Sequence, residues 1–359
     1  MRLGSVLSEA MRNIGSGVSR AFAMFLVVLV AGTLLGGYEA MSVVGLESEA
    51  GERIRSDADV KSIVGGDVDG GSCDRLADTF GGGATAGAMR AGSRIVMRAT
   101  PGKDVSTYEV TAGMLRLVVA GTGAKADASG VWVSSDVARD FGLARGGMLR
   151  TTTGSVKVAG VFDWPNDGRD TRFAYAVLVP VAAGSGVFTE CWVKQWPQSE
   201  QVDGLLYSTL RVSGKGGGNA GVTQVNKGFD THYDAQASYM SRPTRWLPWI
   251  ALASGMFVGV AAVRRRRLEY AGALHSGQGK GALLLGIAIE TGVWSGLAAL
   301  CSCALLTAYC ARMVSSDSAA VLMGAVRSPL AMAVGVVVAG VAAGATIRQS
   351  QLFRFFKKR

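Results

Sequence analysis

The chain has 359 residues, of which 49% are hydrophobic and 18% charged, with 50 glycines and a mean hydropathy of +0.27; soluble domains carry about 25% charged residues, so the balance is that of a polar domain averaged with membrane spans. The net charge of +10 first suggests nucleic acid, but residues 1–20, 264–280 and 348–359 hold 13 of the 37 Lys and Arg with only Glu9 and Glu269 as acids, a balance of +11, and the remainder stands at −1. A nucleic-acid groove gathers its cations on a folded domain with aromatics between them, so that class is set aside.

Residues 1–20 carry Leu3, Val6, Leu7, Met11 and Ile14 at near-helical spacing with polar residues between. They are expected to form an amphipathic helix on the cytoplasmic leaflet; a disordered tail and the leading region of a secretory signal are the other readings. Residues 21–38 follow as an uncharged run, about 27 Å long as a helix against a hydrocarbon core of roughly 30 Å. The run is longer than the apolar stretch of a cleaved signal, and three more hydrophobic segments lie ahead, so an uncleaved first membrane helix is expected.

Residues 39–245 contain no apolar run of membrane length. They are expected to form one domain with its own core on the outer side. Its first third, with Gly65-Gly66, Gly70-Gly71 and Gly81-Gly82-Gly83, reads as loops with short elements. Strands are expected at Ser93–Arg98, Met114–Ala120, Gly130–Ser134, Val156–Phe162, Phe173–Pro180 and Leu206–Val212, which are rich in Val, Ile, Leu or aromatics. Helices fit Ser135–Phe141 and Gly228–Ser241, making the domain α+β. Ser213–Gly221 has the composition of a flexible connection.

Trp246 and Trp249 open a second span at 246–263, as interfacial indoles do; Pro248 is tolerated in its first turn. Arg264 to Arg267 come next. Each would cost roughly 2.5 to 3.5 kcal/mol at a bilayer centre, so they belong at the water interface, and the retention of positive charge near helix ends places that interface in the cytoplasm. Residues 264–290 are expected to form a cytoplasmic loop or helix. Gly281–Ile289 is expected to be an amphipathic or interfacial turn and Glu290 a structural anchor at the inner boundary, facing protein or the interface rather than lipid. Residues 291–311 then make the third crossing, 312–328 an outer loop, and 329–347 the fourth crossing, whose Gly335, Gly340 and Gly344 permit close packing. Residues 348–359 end inside with Phe353, Phe355 and Phe356 among the cations. The fold class is an α-helical membrane protein with four transmembrane helices plus an α+β extracytoplasmic domain between the first and second, in the cell membrane with both termini cytoplasmic.

Cys73 and Cys191 fall in the outer domain, where oxidation is allowed; the sequence leaves open whether they pair. Cys301, Cys303 and Cys310 read as small buried thiols in the third span. No phosphate-loop signature is present: Gly279-Lys280 lacks the upstream glycine and the following hydroxyl. Gly121-Thr122-Gly123 imitates a dinucleotide fingerprint but lacks a clear following helix. The histidines are His232 and His275, on opposite sides of the membrane, so no paired-histidine metal site is expected within one subunit. Nucleophilic chemistry around His232 with Asp230 or Asp234 reads better as a surface loop. No catalytic residue, metal or cofactor is expected in this chain.

Two stretches carry a family resemblance. Arg267 and Glu269, with Gly277 eight residues after the Glu and an apolar helix beyond, resemble the loop between the second and third membrane helices of MacB/FtsX-type ABC transporter permeases; Ala273 stands where the family usually has Leu, with Leu274 one place later. Val131 to Gly142, then Gly146-Gly147-Met148-Leu149 and Val156 to Phe162, resemble the MacB-type extracytoplasmic core of strand, helix, glycine turn and strand. The resemblance implies a permease subunit whose ATP and Mg2+ are held by a separate ATP-binding subunit. Arg264, Arg267, Leu268, Glu269, Leu274, Gly277 and Glu290 would form the coupling surface, beside the 1–20 helix. Further implied partners are a second copy or a related permease, membrane lipid and an extracytoplasmic accessory protein. The implied function is export or efflux of peptide, lipid or drug-like substrates. The alternative is an FtsX-like regulator that activates an envelope hydrolase without transport, for which a smaller outer domain is expected; a membrane-tethered outer enzyme is a third reading.

Overall fold

The computed structural model describes residues 3–16, 20–80, 83–211, 220–231, 233–314 and 317–349. In chain order the elements begin with α1 (Leu3–Gly15), α2 (Ala21–Arg55), β1 (Val60–Asp69), α3 (Gly70–Phe80), β2 (Thr85–Ala91), β3 (Ile95–Val96), β4 (Asp104–Val110) and α4 (Ala112–Val119). There follow β5 (Val131–Ser134), α5 (Ser135–Phe141), β6 (Met148–Thr151), β7 (Gly154–Phe162), β8 (Ala176–Pro180), β9 (Val187–Lys194), α6 (Gln201–Ser208) and β10 (Gly221–Gln224). The chain closes with α7 (Ala235–Ser241), α8 (Leu247–Arg265), α9 (Arg267–His275), α10 (Lys280–Met313), α11 (Ser318–Ala325) and α12 (Arg327–Ala345). Two units result: a helical unit of residues 1–47 and 236–359, and a sheet unit of residues 48–235.

Among the described residues four stretches, lying mainly in the helical unit, are long and apolar enough to cross a membrane: Ala21–Arg55, Ala235–Arg265, Lys280–Met313 and Ser318–Ala345. Helices α8 and α12 touch backbone to backbone. A Cβ on Gly255 would stand 2.1 Å from the Met332 carbonyl oxygen, and one on Gly259 2.2 Å from that of Val336. Lipid tails are as apolar as Leu, so such closeness, not expulsion of water, is what drives helix pairing in a bilayer. Between α2 and α10, Thr33 donates to Ser302 Oγ at 3.0 Å and Ser302 donates to the Leu29 carbonyl at 3.2 Å.

Three expectations for this unit are corrected. The first helix runs on to Arg55 rather than ending at Tyr38, because residues 39–55 contain no proline and pair Arg53 with Glu49 one turn apart. The expected turn at Gly281–Ile289 is the start of α10, one helix of 34 residues: no proline interrupts it, and Glu290 is accommodated by an ion pair rather than a helix break. The loop at 312–328 contains α11, capped by Asp317, whose carboxylate accepts from the Ala320 N–H at 3.1 Å. The tail expected at 348–359 lies outside the described residues from 350 onward.

The sheet unit is built on a ten-stranded mixed sheet in the order β10-β1-β9-β2-β4-β8-β5-β7-β6, with β3 paired to β4. β4–β8 and β5–β7 are parallel and the other pairs antiparallel. Beyond β3, Met97 bridges Thr151 of β6, the Arg98 N–H donates to the Arg150 carbonyl and the Thr152 N–H to the Val96 carbonyl, both at 3.1 Å. These contacts close β4-β8-β5-β7-β6-β3 into a small barrel filled by Met97, Val105, Val131, Val133, Leu149, Val158 and Val177. In a second core Trp164 meets Phe173 edge to face and Phe173 lies tilted against Trp192, at 5.1 and 5.6 Å between ring centroids. In a third, Cys73 of α3 is joined to Cys191 of β9 by a disulfide, amid Ile63, Leu76, Phe188 and Leu206.

Of the glycine-rich first third, Gly65-Gly66 lie within β1, whose Val60, Ile63 and Val68 are buried and give it an inner face, and Gly70-Gly71 open α3; Gly81 and Gly82 lie outside the described residues. Met114–Ala120, expected as a strand, is α4: Thr111 caps it by accepting from the Met114 N–H, and Met114, Leu115, Leu117, Val118 and Val119 are buried around exposed Arg116. Leu206–Val212 is also not a strand. Leu206 belongs to α6, Leu210 makes one bridge to Val68, and Val212, like most of the Ser213–Gly221 connection, lies outside the described residues. Of Gly228–Ser241 only Ala235–Ser241 is helical; His232 lies outside the described residues.

Candidate functional site

The charged loop after α8 folds as a hairpin of short and long helices. Glu290 sits in the apolar α10 with 9% of its side chain exposed, and an ionised carboxylate there requires a cation. Arg266, at the α8–α9 joint, supplies it, with Nη1 at 2.5 Å from Glu290 Oε1 and Nε at 2.7 Å from Glu269 Oε2. The guanidinium also lies over the Tyr270 ring, 5.1 Å from its centroid. Burial and then the charge of Glu290 push the Tyr270 phenol up to about 12. Removing one partner of such a buried pair costs about 3–5 kcal/mol, so the pair fixes where α9 leaves α8. A cavity of about 190 Å³ lies beside it, lined by Glu9 and Asn13 of α1, by Glu269 and Tyr270 of α9, and by Gln278 and Gly286.

The seven residues expected to couple to a partner divide in the structure. Arg264 and Arg267 are exposed, as is Glu269, while Leu268 is half-buried. Leu274 is buried among Val263, Ala271, Leu283, Ile287 and Ile347, and its carbonyl accepts from Gln349 Nε2 at 2.6 Å; it shapes the hairpin and presents no side chain. Gly277 is exposed at φ +93°, a conformation that suits glycine and ends α9. Glu290 is buried behind the loop. Arg266 was indistinguishable from its neighbours in the run of four. The signal that could have singled it out is Glu290 itself, a buried acid in need of the nearest cation cluster.

At the other end of α8 a second buried pair appears. Arg242 Nη2 lies 3.0 Å from Glu39 Oε1, with side-chain exposures of 10% and 4%. Among the described residues Glu39 Oε2 is buried with no hydrogen-bond partner, and Arg242 is the cation beside this carboxylate. Trp246 and Trp249, expected as interface residues, are exposed at 53% and 64%, and Arg245 lies over the Trp246 ring. Thus α8 is tied to α2 near its start and to α10 near its end.

In the sheet unit, the end of α2 and the bend that follows it are gripped by side chains distant in sequence. Helix ends leave carbonyls without intrahelical donors. Here Lys194 Nζ donates to the Ile54 carbonyl at 2.9 Å, Arg169 Nη2 to Arg55 at 2.9 Å, Asn226 Nδ2 to Ser56 at 2.7 Å and Gln224 Nε2 to Ala58 at 2.7 Å. Asp57, at φ +55°, turns the chain and accepts from both Arg169, at 2.5 Å, and Lys194, at 2.6 Å. Asp59 lies 3.6 Å from Lys194; burial, offset in part by that ammonium and reinforced by Asp57, pushes its carboxyl up to about 6.

Among the described residues no group of three or more His, Cys, Asp or Glu side chains is arranged to hold a metal ion. No family model matches the chain, and no curated protein matches it. Among solved structures, the chain is similar to a crystallised domain from Porphyromonas gingivalis that its description assigns to a permease protein. The two are 14% identical over 46% of this chain and 88% of that domain, with a TM-score of 0.32.

Proposed function

We propose that the chain is the membrane subunit of an ABC-type system of the MacB/FtsX kind, driven by a separate ATP-binding subunit. The observation that carries the reading is the arrangement of four apolar helices with a sheet unit inserted between the first and second and a rigid, charged hairpin between the second and third. In this reading the partner holds ATP and Mg2+ and docks on the exposed Arg264, Arg267 and Glu269, with α1 alongside. Its closure tilts α9, and the Arg266–Glu290 pair makes α8 and α10 move with it. The grip on the last turn of α2 by Lys194 and Arg169, and on the bend just after it by Asn226 and Gln224, then makes any displacement of that helix a displacement of the sheet. A second copy or a related permease completes the assembly. The work done is extrusion of a peptide, lipid or drug-like molecule by the sheet unit, without ATP chemistry in this chain.

Co-purification of the full-length chain with a candidate ATP-binding subunit tests the reading. Arg264→Glu combined with Arg267→Glu, both at exposed positions outside the Arg266–Glu290 pair, should abolish capture of that subunit while leaving the chain's own yield unchanged. Undiminished capture would overturn the docking surface.

A further inference from the structure

The barrel within the sheet unit has a mouth that the coupling scheme does not use. A cavity of about 320 Å³ opens there, lined by Met97, Ala99, Phe141, Leu143, Met148 and Leu149 with Arg98 and Arg150. Ligand sites favour the mouths of β-barrels, start near this volume, and combine an apolar wall with a few polar groups. Both arginines are exposed and their side chains have no acidic partner among the described residues. Met148 is 51% exposed, an unbranched and adaptable side chain suited to a flexible guest. We infer that this mouth binds an acyl chain that ends in a carboxylate, the chain lying against Met97, Phe141, Leu143 and Met148 and the carboxylate held by Arg98 and Arg150.

Two observations choose this occupant. A guanidinium fork matches a carboxylate in two parallel hydrogen bonds, so unpaired arginines beside an apolar wall complement an acidic head on an apolar tail. An added peptide strand is disfavoured because the free edge of β6 is already engaged by the Met97–Thr151 bridge and by the hydrogen bonds from Arg98 and Thr152. The inference is independent of the proposed coupling to an ATPase.

The test is calorimetric titration of the full-length chain, reconstituted in nanodiscs of zwitterionic lipid, with octanoate, octanol and octyl phosphate, empty nanodiscs serving as the blank. Octanoate should bind saturably at one site, octanol should not, and Arg98→Gln with Arg150→Gln should weaken octanoate by about tenfold or more, as expected for loss of charge-assisted hydrogen bonds. Arg98→Lys with Arg150→Lys should retain part of the affinity, and Ala99→Trp, which fills the cavity, should remove it. Octanoate uptake no greater than in empty nanodiscs, or uptake unchanged by the double glutamine variant, would overturn the site. Saturable binding of octyl phosphate in place of octanoate would overturn the choice of a carboxylate.

Discussion

The two units both bury arginine against carboxylate, and they do so for different reasons. In the helical unit the pairs are solitary: Glu39 with Arg242, and Arg266 with Glu290 beside the exposed Glu269. Each fastens one end of α8 to a neighbouring helix. In the sheet unit Arg169 and Lys194 belong to a network that binds Asp57 and Asp167 and also satisfies the carbonyls at the end of α2. A solitary pair offsets two desolvated charges and little else, so matched apolar side chains can replace it. A network that also caps a helix cannot be replaced so simply, because its removal strands backbone carbonyls.

That contrast gives the largest expected effect. Arg169→Met should destabilise the sheet unit by about 3–5 kcal/mol, as loss of one partner from a buried pair does, and adding Asp57→Leu should not restore it. Arg266→Met should cost a similar amount, yet Arg266→Met with Glu290→Leu should recover most of the loss. Chemical unfolding of the detergent-solubilised chain, followed by tryptophan fluorescence, measures both. If both double variants recover equally, the two units do not differ as argued.

A smaller effect is set by pH. The raised Asp59 carboxyl favours the proton in the folded state, so its contribution to stability is full below the ordinary carboxylate value near 4 and is lost as pH rises through about 6. Asp59→Asn should therefore flatten the stability profile between pH 4 and 6 and raise stability at pH 7 by up to about 3 kcal/mol. A profile that keeps its slope in the variant assigns the titration elsewhere. The smallest effect sharpens the picture of the helical unit. Gly255→Ala places a methyl 2.1 Å from the Met332 carbonyl oxygen, which must move, and overpacking of this kind costs about 1–3 kcal/mol. A neutral result would show that α8 and α12 are free to separate.

Much of this design was legible in the residues. Apolar runs without charge located four helices, and the run of arginines located the hairpin, because both signals are local. The end of the first helix was hidden: Glu39, Glu47, Glu49 and Glu52 look like the edge of a membrane and say nothing about whether a helix continues through water. Met114–Ala120 misled because buried helices and buried strands share an unbroken apolar run, and only the Thr111 cap separates them. β2, with Ala86, Gly87 and Ala88 on its inner stretch, carries no strand composition and is held in place by its neighbours β9 and β4. The choice of Arg266 from four arginines, and the meeting of Arg169 with residues 55–57, are contacts across long sequence separations and leave no mark on either stretch alone.

The proposed function requires the hairpin and the sheet unit to work on opposite sides of a membrane. Its most direct test is labelling by a membrane-impermeant maleimide in intact cells, in a chain whose Cys301, Cys303 and Cys310 are replaced by alanine and which carries a single new cysteine at Ser276 or at Gly184. The account predicts that Gly184→Cys is labelled from outside and Ser276→Cys only after the cells are opened; equal labelling of both in intact cells, or the reverse order, would contradict it.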